Sequence, residues 1–221
     1  MIDNLHIAID GPAASGKTAS AKKLSKELKI PYIDTGIMYR GLSYYLLTEI
    51  KDFKNKKIIE NFDFDNNLSI LVDEDQKLFI NDRDITQYLY TEEVTKLVSF
   101  FASIEAVRVY LVKEQKIMAK NKNLIMVGRD IGTVVLPNAK YKFFLDCNVQ
   151  TRANRRIDQE KKHCGDIVDI DKKLDQIKKR DLIDKSRELS PLKSAKDAII
   201  IYNDHIDLAQ TVILMKNIVM E

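Results

Sequence analysis

The segment Gly11-Pro12-Ala13-Ala14-Ser15-Gly16-Lys17-Thr18 constrains this chain more than any other part of it. It fits G-x-x-x-x-G-K-[ST], the phosphate-binding loop or P-loop. Such a loop needs a buried strand before it and a helix after it, so that loop N–H groups and the helix N-terminus converge on phosphate oxygens. The flanking residues meet that need. Leu5–Ile9 is the kind of apolar run that a parallel sheet buries, and Ala21, Leu24 and Leu28 recur at helical spacing after Lys17. Lys17 is then expected to reach the β- and γ-phosphates of a nucleoside triphosphate, and the Thr18 hydroxyl to ligate Mg²⁺.

Strand-like and helix-like segments alternate along the rest of the chain. Strands are expected at Pro31–Ile33, Leu124–Val127, Lys142–Leu145 and Ala198–Ile201. Helices are expected near Gly36–Glu49, Thr91–Ser99, Ser103–Asn121, Val149–Lys162, Asp171–Ile183 and Asp207–Val219. This pattern predicts an α/β fold, a mostly parallel sheet flanked by helices. It lapses twice. Lys51–Asn67 reads as a loop with a short helix and leads into a hairpin, Leu68–Val72 with Lys77–Asn81; Arg155–Asp171 is highly charged. Both are expected excursions over the sheet. Ser190-Pro191 is expected to stop the last helix before the final strand.

The 221 residues suit one domain. A net charge of +3 is too mild for a nucleic-acid coat or a polybasic membrane anchor. No apolar run approaches bilayer length, and the acidic start predicts no secretory leader. Cys147 and Cys164 lack CxxC spacing and, with His6, His163 and His205, form no metal-ligand pattern. A soluble, cytoplasmic protein is expected. More telling is that the chain has 27 Lys and only 9 Arg. Arg is needed where a planar fork must grip an oxyanion or base edge twice. Apart from Arg83, the arginines are Arg40, Arg108, Arg129, Arg152, Arg155, Arg156, Arg180 and Arg187. Gly128-Arg129-Asp130 follows a strand, at the sheet edge where α/β proteins bind ligands. That placement suits a second, phosphorylated substrate, with Arg129 on its phosphate and Asp130 on a hydrogen-bonding edge. A GTPase is disfavoured, since Asn121-Lys122-Asn123 lacks the guanine-reading Asp. Arg180, Asp184 and Arg187 share a helix face, which fits a salt-bridge ladder as well as a ligand site.

Four blocks together resemble the bacterial cytidylate (CMP/dCMP) kinase family across roughly Leu5–Val219. They are Ile9–Thr18, Asp34-Thr35-Gly36-Ile37-Met38-Tyr39-Arg40, Gly128–Val135 and Arg180-Asp181…Asp184…Arg187…Pro191-Leu192. The resemblance implies a P-loop kinase fold in one unit: a core of 1–50, 100–151 and 172–221, an antiparallel acceptor-binding insert at 51–99, and a helical lid at 152–171. It implies ATP and Mg²⁺ at residues 11–18 and CMP or dCMP as acceptor, with UMP as the nearest alternative. Thr35 would lie near the cytosine, with Asp130, Arg108 and Arg187 reading the base. Ser99, Arg180 and Asp184 would contact the pentose, and Arg40 and Arg129 the acceptor phosphate. Lys17, Arg129, Arg155 and Arg156 would attend the transferring phosphoryl group, Arg152 beside them in the lid, and Asp34 would orient metal-bound water or the acceptor. A monomer without nucleic-acid or membrane partners is implied. The other class, a nucleotide sensor without turnover, is disfavoured by the retained Lys17 and full arginine set. Two positions depart from the family. Tyr90-Thr91 stands where Arg-Thr is usual, which predicts a lost contact in the insert. Asn203-Asp204 replaces Asp-Ser or Asp-Thr and reads as a changed turn away from the P-loop.

Overall fold

Apolar side chains on successive strand residues leave no polar face, so the central strands must be covered on both sides. That is what the structure, a computed structural model describing residues 4–164 and 169–221 (backbone only over 159–164), shows. Strands β1 (His6–Asp10), β2 (Tyr32–Asp34), β6 (Leu124–Val127), β7 (Tyr141–Asp146) and β8 (Ile199–Tyr202) form a parallel sheet in the order β2-β6-β1-β7-β8. Ile7, Ile9, Ile125, Val127, Phe143 and Leu145 pack with Leu24 of α1 (Lys17–Leu28) and Val212 and Met215 of α9 (Leu208–Met220). The alternate residues Ala8, Ile33, Leu124 and Met126 join Met38 and Leu42 of α2 (Thr35–Glu49) and Leu111 of α6 (Glu105–Ala119). In α9, Val212 and Met215 are buried, while Leu208 is 43% exposed at the first turn.

The excursion after α2 holds two short helices, α3 (Lys56–Glu60) and α4 (Phe64–Asn67), where one was expected. Its sheet has three strands, not two: β3 (Ile70–Val72), β4 (Leu78–Ile80) and β5 (Arg83–Asp84), antiparallel. β5 is two charged residues long and has no apolar alternation to announce it. The turn before it uses Asn81 and Asp82 at φ +48° and +63°. A Cβ at Gly41 would lie 1.9 Å from Leu78 Cδ2, so the missing side chain is what lets β4 lie directly on α2. Helix α5 (Glu92–Phe101) closes the far side of α2.

Beyond β7, α7 (Val149–Cys164) and α8 (Ile170–Ser186) pack against each other. Of the expected lid, residues 165–168 and the side chains of His163 and Cys164 lie outside the described residues. Helix α8 stops at Ser186, before Ser190-Pro191, because the chain folds back and Leu192 N donates to the Asp184 carbonyl at 2.7 Å. Among the described residues, no helix is long and apolar enough to cross a membrane.

The loop between β1 and α1 takes positive φ at Gly11, Ala14 and Gly16. At Gly11, φ is +147° and a Cβ would lie 2.1 Å from the Leu145 carbonyl oxygen on the neighbouring strand. That oxygen is backbone and cannot yield. Gly11→Ala is expected to destabilise the protein by more than about 2 kcal/mol in urea unfolding, the scale of a strained backbone site with a steric clash; an unchanged midpoint would contradict the loop geometry.

Candidate active site

The parallel register sets the carboxyl ends of β2, β6 and β1 side by side, so the loops that follow them share one crevice. Asp34, the last residue of β2, caps α2 by accepting from Gly36 N at 2.9 Å and accepts from the Thr18 hydroxyl at 2.5 Å. Thr18 and Asp34 thus offer two hard oxygens. Mg²⁺ asks no more of a protein when a triphosphate and water fill its remaining positions. Among the described residues no cluster of three or more His, Cys, Asp or Glu could hold a metal unaided. Lys17 Nζ lies across the P-loop, donating to Pro12 O at 2.6 Å and Ser15 Oγ at 3.3 Å. Burial, then the nearby Arg129 charge, holds the ammonium well below its usual range.

At the end of β1, Asp10 joins the P-loop to the block that follows β6. It is 4% exposed, and its two oxygens accept from Ile131 N at 2.9 Å and Gly132 N at 2.7 Å. Those amides open the π-helical turn Ile131–Val135, directly after Arg129 and Asp130. Burial outweighs the two N–H bonds and pushes the carboxyl up to about 6.

Around this frame the arginines converge. Arg108 and Asp130 form a buried ion pair at 2.5 Å, with the Arg108 guanidinium 5.3 Å from the Tyr39 ring centre. Asp184 accepts from Arg129 Nε at 3.1 Å and lies 3.4 Å from Arg187 Nη2; against the effect of burial, these cations hold its carboxyl below the usual range. Burial and the neighbouring Arg129 lower Arg180 to about 10. Arg108 Nε, Arg180 Nε and Arg187 Nη2 are buried donors with no hydrogen-bond acceptor among the described residues. Arg40 is 6% exposed, and its Nη1 donates to Leu89 O at 3.1 Å and Thr95 Oγ1 at 3.0 Å. Thr35 is buried at the head of α2 and donates to Val127 O at 2.8 Å. Ser99 is half-buried on α5, and no described hydrogen bond ties it to this cluster.

The three arginines of α7 part ways. Arg152 is a strut: Nε donates to Cys147 O at 3.1 Å, while Nη1 donates to Ala13 O at 3.3 Å and to Asp181 of α8 at 2.5 Å. Its hydrogen-bond geometry fastens it to the P-loop rather than leaving it to sweep over the crevice. Arg155 turns to the outside of the loop, where Nη1 meets Asn203 Oδ1 at 2.9 Å and Nη2 meets Asn203 O at 2.6 Å. Arg156 lies among Arg40, Arg180 and Tyr90, close enough for its charge to act on all three.

Asn203 corrects the expectation of a turn away from the P-loop. It is 3% exposed, and its Nδ2 donates to the Ser15 carbonyl at 2.9 Å. One amide therefore bridges the loop and Arg155. Beside it a cavity of about 310 Å³ is lined by Ala14, Gly16, Ala19, Arg155, Asp158 and Asn203. Asp10 likewise links the P-loop to the turn after β6, a link that sequence reasoning missed. Its position just before Gly11, an acid ending an apolar strand, was the available signal. Tyr90 is not simply a lost contact, since the Arg40 guanidinium carbon lies 4.8 Å from the centre of its ring.

A parallel sheet with a P-loop after its central strand, facing an arginine-lined crevice and flanked by a small antiparallel sheet, is the P-loop kinase fold. A solved structure of an uncharacterized protein from Eubacterium ventriosum ATCC 27560 shares that fold, with a TM-score of 0.53 and 15% identity over 99% of both chains. The family profile described as cytidylate kinase matches residues 7–220. A cytidylate kinase from Geobacillus sp. (strain WCH70) is 40% identical over 100% of this chain and 99% of its own. A bifunctional pantoate ligase/cytidylate kinase from Prochlorococcus marinus (strain MIT 9312) is 40% identical over 93% of this chain, which spans only 41% of that relative. This chain belongs to the cytidylate kinase family.

Asp10 yields a signed pH prediction. Its folded value of about 6 lies above the ordinary carboxyl value of 3.8, so between those limits the native chain keeps a proton that the unfolded chain has released. Its contribution to stability therefore falls as pH rises through that window, by up to about 3 kcal/mol, and is constant above it. Asp10→Asn removes this component. The stability difference, wild type minus variant, should decline from pH 4 to pH 6 in urea titrations; a flat difference would show that the carboxyl is unperturbed.

Proposed function

We propose that this protein transfers the γ-phosphoryl group of ATP to CMP or dCMP, giving ADP and CDP or dCDP. The observation that carries the reading is a pair of buried guanidinium donors with no acceptor among the described residues, Arg108 Nε and Arg180 Nε, the second close enough to the P-loop lysine for their charges to interact. Buried donors of this kind call for oxygen atoms that the described residues do not supply. The activity for which the family is named agrees with two nucleotides sharing this crevice.

Residues 11–18 hold the donor triphosphate through loop amides, Lys17 and the N-terminus of α1. Thr18 and Asp34 would hold Mg²⁺, which would supply charge neutralisation to the triphosphate. Arg40 and Arg129 hold the acceptor phosphate. An oxygen of that phosphate attacks the γ-phosphorus while the bond to the β–γ bridging oxygen breaks. The nucleophile is already an anion, so the protein's work is alignment and charge matching. Lys17, Arg129 and Arg156 stand nearest this task, and Arg155 joins them by leaving Asn203. Asp130, held by Arg108, accepts from the cytosine 4-amino group, with Arg187 beside it and Thr35 at the crevice wall; Asp184, Arg180 and Ser99 take the pentose. Residues 51–99 form the acceptor-binding insert and 152–171 the lid, which closes to keep water from the γ-phosphate. A monomer in the cytoplasm fits this reading.

Initial rates of ADP formation from ATP and Mg²⁺ with CMP, dCMP, UMP, AMP and GMP test it, with turnover expected mainly for CMP and dCMP. Turnover on a different base would overturn the acceptor assignment, and none at all would favour a sensor. Asp130→Asn is preferable to Asp130→Ala, because its amide oxygen still offers Arg108 an acceptor and its volume fills the site, so the variant loses the carboxylate charge without also leaving a cavity and an unsatisfied donor. The Asn variant is expected to narrow the CMP-over-UMP preference in kcat/KM by about tenfold, the effect of one charge-assisted hydrogen bond. An unchanged ratio would remove Asp130 from base reading.

A further inference from the structure

Three consecutive residues, Tyr88, Leu89 and Tyr90, grip α2 from outside, and the last two hold the guanidinium of Arg40. The Tyr88 ring stacks on Tyr44, one turn beyond Arg40 on the same helix, with centroids 4.6 Å apart and planes parallel. Leu89 is 1% exposed, and its carbonyl accepts from Arg40 Nη1 at 3.1 Å. Tyr90 then lays its ring against the guanidinium face at 4.8 Å. Thr95 Oγ1, one turn into α5, accepts from the same Nη1 at 3.0 Å. Among the described residues neither Nε nor Nη2 of Arg40 has a hydrogen-bond acceptor. The ring takes one face, the carbonyl and hydroxyl take one nitrogen, and the Nε–Nη2 edge is left for an oxyanion.

We infer that Tyr90 is a positioning residue for the acceptor phosphate: its ring fixes the plane of the Arg40 guanidinium so that the Nε–Nη2 edge presents a two-point fork to the phosphate oxygens. A single-nitrogen anchor leaves rotation about that nitrogen free, and a ring on one face stops it. The ring can do this because Tyr90 needs no burial of its own. The residue is 62% exposed, while the cation it holds is 6% exposed. Its charged neighbours are Arg40, Arg156 and Asp34, so the phenol stands at the rim of the same crevice. The π face of the ring rather than the hydroxyl is what Tyr90 supplies, which predicts that Phe can replace it and an aliphatic residue cannot.

This inference rests on the assignment of Arg40 to the acceptor phosphate, and the experiment separates the two. Steady-state kcat and the KM for CMP would be measured for Tyr90→Phe, Tyr90→Leu, Arg40→Ala and the double variant Tyr90→Leu/Arg40→Ala, with thermal midpoints confirming folding. Expected results are a KM near wild type for Y90F and a KM raised about three- to tenfold for Y90L with kcat little changed, the range of a partly desolvated cation–π contact. Arg40→Ala should raise KM more, and Y90L should add nothing further in that background. If Arg40→Ala leaves KM unchanged, the phosphate assignment fails and this inference with it. If Arg40→Ala acts but Y90L does not, or if Y90L raises KM equally in both backgrounds, Arg40 keeps its role and Tyr90 does not work through it. A Y90F variant as impaired as Y90L would place the effect on the hydroxyl and overturn the ring's role.

Discussion

Cations crowded into one crevice repel one another, and much of the structure answers that repulsion. Lys17, Arg129 and Arg180 each lie close enough to feel another's charge, and Arg40 and Arg156 extend the group. Three carboxylates oppose them at fixed points. Asp34 stands at the head of α2, Asp184 between Arg129 and Arg187, and Asp10 at the end of the central strand. Each is itself restrained, Asp34 and Asp10 by backbone N–H groups and Asp184 by the guanidiniums. The result is a site with a surplus of positive potential in a low-dielectric setting, where an incoming polyphosphate gains more than it would at a solvated surface.

The two sides of the sheet share the work. Side chains facing α1 and α9 make a core under the P-loop, while those facing α2 and α6 merge with the core of the small antiparallel sheet. Because Gly41 admits Leu78 against α2, the insert rests on the helix that carries Arg40. Packing there and the placement of Arg40 are therefore set by one rigid element.

Much of this was legible in the sequence. The P-loop announced its own strand and helix, and Leu124–Val127 was bounded correctly because an apolar run was closed by polar residues on both sides. Scarcity of Arg against Lys pointed to the crevice, since Arg108, Arg129, Arg180 and Arg187 do gather near Asp130 and Asp184. What escaped were contacts without local signature. Asn203 and Ser15 are 188 residues apart, and nothing near either predicts an amide bridging to a loop carbonyl. Tyr90 read as the loss of a charge, because a sequence does not show that a ring can brace another residue's cation. The two-residue strand β5 had no period to detect.

The Arg152 strut has a mechanical consequence. By joining the Ala13 carbonyl of the P-loop to Asp181 of α8, while α7 and α8 pack together, it puts the fulcrum of the helical pair on the phosphate loop itself. A tilt of that pair would then be a rotation about the P-loop, with the lever arm beginning at Ala153. Force at the loop and displacement at the far end of the helices become two readings of one angle.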